Sequence, residues 1–165
     1  MKRWPPWLSA LVVASCAGGG NLRPGAATQT DVLRTMGAPA LSWQNADGSR
    51  QFSYPHGPYG FHSYMVYLDR DGRLQKIEDA MEMGAFARIQ AGMSQAEVLR
   101  TLGPSDPAET AYFPARRELN WGWRYCDAWN NAAHFYVLFD KDSGAVQSTM
   151  SVREVCDNGV CYCGH

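Results

Sequence analysis

Segment 156–165 has the clearest capacity for chemistry in this sequence. Cys156, Cys161, Cys163 and His165 give the spacing Cys-x₄-Cys-x-Cys-x-His, and thiolate and imidazole groups are zinc ligands. The spacing matches no common zinc finger. With Cys126, the three cysteines make an even set of four, which indicates two disulfides in an oxidising compartment. We therefore expect disulfides, and a metal site at these four positions is the weaker alternative.

The sequence leaves the pairing of these cysteines open. A bond between Cys161 and Cys163 would close a very tight ring, which disulfide geometry disfavours. We therefore expect Cys126 to pair with Cys161 or with Cys163.

A fifth cysteine, Cys16, follows the pattern of a secretory signal. Lys2 and Arg3 precede a short apolar run, and small residues surround the cysteine. The run is shorter than the roughly 20 residues needed to span a bilayer. The segment 11–16, Leu-Val-Val-Ala-Ser-Cys, resembles a bacterial lipobox. The resemblance implies that 1–15 is a signal peptide, that Cys16 carries acyl chains such as palmitate, and that 16–20 is a tether.

Localisation follows from the same segment. Several acyl chains hold a soluble domain durably on a membrane. Ala17 stands where lipoprotein sorting patterns that favour the inner membrane have Asp. We expect a lipid-anchored protein of the outer membrane that faces the periplasm.

Composition argues against nucleic acid as a partner. Removing 1–15 takes Lys2 and Arg3 from the 15 basic residues, which leaves 13 against 16 acidic residues. Nucleic-acid binding needs a concentrated basic face. With 45% apolar residues, the chain can bury a core.

Catalytic motifs are missing from the sequence. It contains no Gly-x-Ser-x-Gly elbow, phosphate loop or His-Glu-x-x-His, and its four histidines are scattered. We expect no enzyme activity and no cofactor.

The candidates for contact with a partner are aromatic. Trp121, Trp123, Arg124, Tyr125 and Trp129 lie within nine residues, and Trp, Tyr and Arg dominate the energetics of protein interfaces. Period-2 spacing puts Trp121, Trp123 and Tyr125 on one face of a strand. Some of these side chains must also belong to the core, because Trp is a large apolar residue.

An internal duplication organises the chain. Val32-Leu33-Arg34-Thr35-Met36-Gly37 recurs after 66 residues as Val98-Leu99-Arg100-Thr101-Leu102-Gly103. Each copy starts a helix with capping residues, Thr28 with Asp31 and Ser94 with Glu97, and strand-like sequence follows. We place a first, degenerate module at 21–79, a second at 83–154, and a cysteine-rich tail at 155–165.

The expected fold class is α+β. Each module is read as a helix, or two helices in the second copy, followed by a three-stranded antiparallel meander. One face of that sheet would pack on the helices.

The segment 86–104, Phe-Ala-Arg-Ile-Gln-Ala-Gly-Met-Ser-Gln-Ala-Glu-Val-Leu-Arg-Thr-Leu-Gly-Pro, resembles the helical signature of the SmpA/OmlA (BamE-like) outer-membrane lipoproteins. Trp123-x-Tyr125 fits the aromatic strand of that family. The resemblance covers the second copy well and the first only partly. It implies an α-α-β-β-β module and a non-enzymatic binding or scaffold role in outer-membrane β-barrel assembly or envelope integrity, with barrel-assembly proteins as partners.

The doubled plan is also similar to β-lactamase inhibitor protein, a secreted binder that grips an enzyme with a sheet face. The alternative function is therefore a periplasm-facing inhibitor or ligand-binding lipoprotein.

Overall fold

A computed structural model describes residues 22–55, 60–156 and 159–163. The expectations for the signal peptide, for Cys16 and for His165 lie outside these residues. Within the described part of the chain, no helix is long and apolar enough to cross a membrane.

Three short helices, α1 (Gln29–Met36), α2 (Met83–Phe86) and α3 (Gln95–Leu102), are present in the described residues. Both predicted capping boxes form, one at the start of α1 and one at the start of α3. The Ser94 hydroxyl accepts a hydrogen bond from the Glu97 amide, and the Glu97 carboxylate accepts one from the Ser94 amide. These contacts satisfy donors that a helix N-terminus otherwise leaves free.

Two four-stranded antiparallel sheets follow the chain order, β1-β2-β3-β4 and β5-β6-β7-β8. The first sheet consists of β1 (Leu41–Gln44), β2 (Arg50–Pro55), β3 (Ser63–Leu68) and β4 (Leu74–Asp79). The second consists of β5 (Ala111–Phe113), β6 (Glu118–Cys126), β7 (Ala132–Asp140) and β8 (Val146–Arg153). Short 3₁₀ helices, Pro107–Glu109 and Pro114–Arg116, flank β5, and β9 (Val155–Cys156) pairs with β10 (Gly159–Val160). We call the elements α1 to β4 the first half and α2 to β8 the second half.

The expected α+β class with three-stranded meanders is wrong, because the described chain is mostly β and each sheet has four strands. The additional strands are β1 and β5, of four and three residues. Runs this short show too few alternations for a period-2 pattern to reveal them. The hairpin from β1 to β2 is closed by a turn in which the Asn45 amide donates to the Ser49 carbonyl, at 2.8 Å.

The layers explain where the core lies. One face of the first sheet packs on α1 through Phe52, Val66 and Leu68. The opposite face packs on α3, since Met65 belongs to the same cluster as Val98 and Leu102. Helix α3 also supports the second sheet, so it lies between the two sheets.

Close backbone approach makes this layering possible. Gly103 ends α3 with φ +81°, and a Cβ at that position would lie 2.6 Å from the Ser53 hydroxyl oxygen. The Ser63 hydroxyl donates to the Leu102 carbonyl at 3.2 Å. Glycine is thus required both for the backbone conformation and for contact between the halves.

Two disulfides close the end of the second half, Cys126 with Cys163 and Cys156 with Cys161. One expected pairing for Cys126 is therefore present. The bonds engage all three cysteines of the alternative metal set. They fix the β9-β10 hairpin against the turn between β6 and β7, where the Cys163 amide donates to the Asn130 carbonyl.

Candidate functional site

A cavity of about 510 Å³ opens where the two halves meet. The first half contributes the end of β2, the start of β3 and the residues after β4, and the second half contributes the segment after α3 and part of β6. The lining residues are Pro55, Gly60, His62, Ser63, Met81, Pro104, Ser105, Asp106, Pro107, Ala108, Trp123 and Arg124. The volume lies within the range of small-molecule sites.

The wall of the cavity is largely apolar and rigid. Pro55, Pro104 and Pro107 contribute rings with fixed backbone angles. The indole N–H of Trp123 donates to the Pro104 carbonyl at 3.0 Å, and only 3% of Trp123 is exposed. Strand β6 thereby holds the segment after α3 in place.

An imidazole and a carboxylate at the rim come from the first half. Nδ1 of His62 lies 2.5 Å from Oδ2 of Asp79, and the His62 ring stacks on Tyr64. The other carboxylate oxygen of Asp79 accepts hydrogen bonds from the amides of Ser63 and Met81. The imidazole is thus oriented through Nδ1.

An ion pair at the rim comes from the second half. Arg124 donates to both carboxylate oxygens of Glu154, the Nη2 to Oε2 distance being 2.8 Å. Hydrogen bonding and charge from Arg124 lower the pKa of Glu154, and Glu154 in turn raises the pKa of Arg124. The guanidinium also lies over the Phe61 ring, 4.3 Å from its centroid.

A polar network continues from this pair across the outer face of the second sheet. Nε2 of His134 lies 2.9 Å from Oε1 of Glu154, and the Tyr136 hydroxyl donates to Glu109 at 2.6 Å. Desolvation, together with the Glu109 hydrogen bond and charge, raises the pKa of Tyr136. Tyr136 is therefore a neutral hydrogen-bond donor at ordinary pH.

The two serines that line the cavity are not hydrogen bonded to His62. A serine nucleophile needs a hydrogen bond to its base. Among the described residues, the Ser63 hydroxyl instead donates to Leu102, and the Ser105 hydroxyl is hydrogen bonded to Thr110. Neither of these bonds involves His62, whose Nδ1 faces Asp79.

The predicted contact residues separate in the structure. Trp123 and Tyr125 are core residues, and Trp121 packs against the same core, its ring centroid 4.7 Å from that of Phe139. Trp123 and Arg124 both reach the cavity. Arg124 lies between Trp123 and Tyr125 in β6 and is paired with His134 of β7, on the face opposite the core.

Trp129 lies apart from the cavity, in the turn between β6 and β7. It is 73% exposed, and the Arg153 guanidinium lies 5.0 Å from its ring centroid. Asp127 holds this turn by accepting hydrogen bonds from Trp129, Asn131 and Arg153. Desolvation opposes ionisation of Asp127, but these bonds lower its pKa to about 2.

Sequence reasoning missed His62, Asp79, Glu109 and Glu154 as members of the site. His62 and Asp79 are 17 residues apart, and Arg124 and Glu154 are 30 apart. The short turn at 127–131 could have predicted one contact of this site. It joins β6 to β7 in a register that places Arg124 beside His134.

Comparison with known proteins adds little to this geometry. No family model and no curated protein matches the chain. Among solved structures, it is similar to a DUF4309 family protein (YjgB) from Bacillus subtilis subsp. subtilis str. 168, with 14% identity and a TM-score of 0.31 over 81% of this chain and 82% of that one.

A second similar structure is an extracellular protein containing a SCP domain from Bacillus anthracis str. Ames. The identity is 9% and the TM-score 0.31, over 94% of this chain and 57% of that one. This chain therefore spans little more than half of that protein. Neither likeness supports a conclusion about function.

Proposed function

We propose that this protein is a lipid-anchored binding protein of the bacterial outer membrane that holds an apolar group of a partner protein in the cavity between its halves. The observation that carries the proposal is the cavity itself, with its wall of proline, methionine and tryptophan and with His62 and Arg124 at its rim, each hydrogen bonded to an acidic residue. Binding of an apolar group to such a wall is favourable, because it removes apolar surface of both from water.

The rim charges favour specificity over reactivity. Arg124 and His62 are held by Glu154 and Asp79, so an incoming group meets oriented dipoles and apolar surface. A partner with an apolar or aromatic side chain packs on this wall without displacing these bonds, or the one that the Asp106 carboxylate accepts from the Ala108 amide. A charged group entering the cavity would have to compete with these existing contacts.

The process we propose is assembly of outer-membrane β-barrel proteins or maintenance of the envelope. Support comes from the lipobox-like segment at Cys16 and from the resemblance of segment 86–104 to the SmpA/OmlA family. Acyl chains on Cys16 would place the cavity close to the membrane where such partners are assembled.

Two exposed alanines allow a matched test. Ala108 is the middle residue of the 3₁₀ helix Pro107–Glu109 and lines the cavity, whereas Ala115 is the middle residue of Pro114–Arg116 and does not line it. We would purify the tagged, lipidated chain from gently solubilised membranes as wild type, Ala108→Trp, Ala115→Trp and Cys16→Ser, and identify associated proteins by mass spectrometry.

Barrel-assembly components should accompany the wild type and Ala115→Trp, and they should be lost with Ala108→Trp and Cys16→Ser. Equal recovery with Ala108→Trp would exclude the cavity as the contact site. Failure to recover these components with a folded, lipidated wild type would exclude the assembly process.

A further inference from the structure

The open edges of the two sheets are protected very differently. An edge strand exposes unpaired backbone groups, and proteins usually protect it with charges, prolines or short length. Strand β5 has three residues and runs into Pro114, and β1 has four residues with the Arg100 guanidinium lying over its Trp43 ring. Both of these edges are therefore short or covered.

The remaining edges, β4 and β8, occupy equivalent places in the two sheets. Strand β4 carries Lys76, Glu78 and Asp79, and the Lys76 ammonium is paired with Glu78 at 2.9 Å. In the duplication, Lys76 corresponds to Ser148 and Glu78 to Met150. The charges that protect the first edge are thus missing from the second.

Strand β8 is neutral and exposed beyond Val146, whose backbone groups are hydrogen bonded to Gly92 and Met93. Residues 147–152 read Gln-Ser-Thr-Met-Ser-Val and are all exposed, and the strand's single charged residue, Arg153, stands at its end. Met150 is 49% exposed and Val152 42% exposed. The edge therefore presents both backbone and apolar side chains to water.

The register fixes which backbone groups point outward. The Glu154 amide donates to the Ala132 carbonyl across β7 and β8. In an antiparallel sheet, successive residues of a strand point their backbone N–H and C=O groups to opposite sides. Val152 and Met150 therefore also direct their backbone groups to β7. Thr149 and Ser151 then direct their N–H and C=O groups away from the sheet.

We propose that β8 pairs antiparallel with β8 of a second copy of this chain, joining the two second sheets across a two-fold axis. With the axis at Met150, Thr149 of each copy lies opposite Ser151 of the other, so outward backbone groups meet. Met150 contacts its own counterpart, and Val152 lies opposite Ser148. Such a contact is self-complementary, as a two-fold interface requires.

Charge also favours a second copy as the occupant of this edge. The pairing puts Arg153 opposite Gln147, whose side-chain amide already donates to the Asp140 carboxylate at 3.2 Å. Arg153 keeps its own partner, since its guanidinium donates to the Asp127 carboxylate at 2.8 Å. The single charge of each strand is thus neutralised within its own copy, and the paired strands oppose no like charges.

Charge substitution at the axis tests the proposal. Met150→Lys and Met150→Glu each place like charges opposite each other in the dimer, whereas an equimolar mixture of the two variants places opposite charges there. Ile77→Lys adds the same charge at an exposed position of β4 and serves as the control. We would measure association by sedimentation equilibrium over a concentration series, using the disulfide-intact chain with Cys16→Ser.

The parent chain and Ile77→Lys should form dimers with equal dissociation constants. Each Met150 variant alone should dimerise at least tenfold more weakly, and mixing the two should restore dimers. A parent chain that stays monomeric throughout the series would overturn the proposal. So would dimers that are indifferent to both Met150 substitutions, or a mixture that fails to recover association.

Discussion

Tyr136 covers Gly122 on the outer face of the second sheet. The two residues are paired across β6 and β7, and a Cβ at 122 would lie 2.6 Å from Cε1 of Tyr136 and 2.7 Å from Cβ of Glu109. The missing side chain lets the Tyr136 ring lie flat against the sheet while its hydroxyl donates to Glu109. A tyrosine and a carboxylate thereby shield this part of the sheet from water.

Gly122→Ala should lower the free energy of unfolding by about 1–3 kcal/mol, because the added methyl group overpacks this site. Gly84→Ala is the control, since Gly84 lies in α2 with open space around it. Denaturant unfolding under oxidising conditions measures both. A neutral Gly122→Ala would show that the Tyr136 ring moves away at no cost.

Gly37 and Gly103 occupy equivalent positions in the two repeats, and substituting each by alanine distinguishes the cost of backbone strain from the cost of a steric clash. Both have positive φ, +79° and +81°, but a Cβ at 37 meets nothing within 4 Å, whereas one at 103 meets Ser53. Gly37→Ala should cost about 1–2 kcal/mol through strain alone. Gly103→Ala should cost clearly more in the same unfolding experiment, and equal costs would contradict the close contact between α3 and the first sheet.

The Arg124 and Glu154 pair should make stability depend on pH. Arg124 holds the pKa of Glu154 below its unfolded value. The pair therefore contributes fully above the ordinary glutamate pKa of about 4.3, and the contribution fades as the pH falls through the lower folded value. Arg124→Ala should cost about 2 kcal/mol at neutral pH and less in acid. If the cost does not change with pH, the loss of stability comes from lost packing of Arg124 on Phe61 and not from the ion pair.

The two disulfides should differ in their contribution because they close loops of different length. Cys126 and Cys163 are 37 residues apart, and Cys156 and Cys161 are 5 apart. Chain-entropy arguments give about 4 kcal/mol for the longer loop and about 2 kcal/mol for the shorter. Paired Cys→Ser variants, compared by thermal unfolding, check the order. The reverse order would mean that the short bond stabilises the native hairpin directly.

Local chemistry made part of the fold predictable. The hydroxyl and acid of Ser94 and Glu97 specify a helix start that needs no distant contact, and both capping boxes form. Period-2 spacing correctly grouped Trp121, Trp123 and Tyr125 on one face of β6, and the structure shows that this face packs on the core. These features depend on neighbours within a few residues.

The rest depends on contacts between distant segments. Strand β1 exists because its backbone pairs with β2, and its four residues have too short a pattern to show this in advance. The cavity needs Pro55 and His62 from one half and Pro107 and Arg124 from the other. Only the packing of the first sheet on α3 brings these residues together, and no local spacing encodes it.

The position of α3 between the sheets makes the two repeats unequal. The first sheet is covered on both faces, by α1 and by α3. The second sheet is covered by α3 on one face, and its other face carries Arg124, His134, Tyr136 and their acidic partners. In a repeat array, the end unit is the one that must tolerate water. Stacking in this direction therefore stops after two units, because a third copy of the module would have to pack its apolar face on the polar outer face of the second sheet.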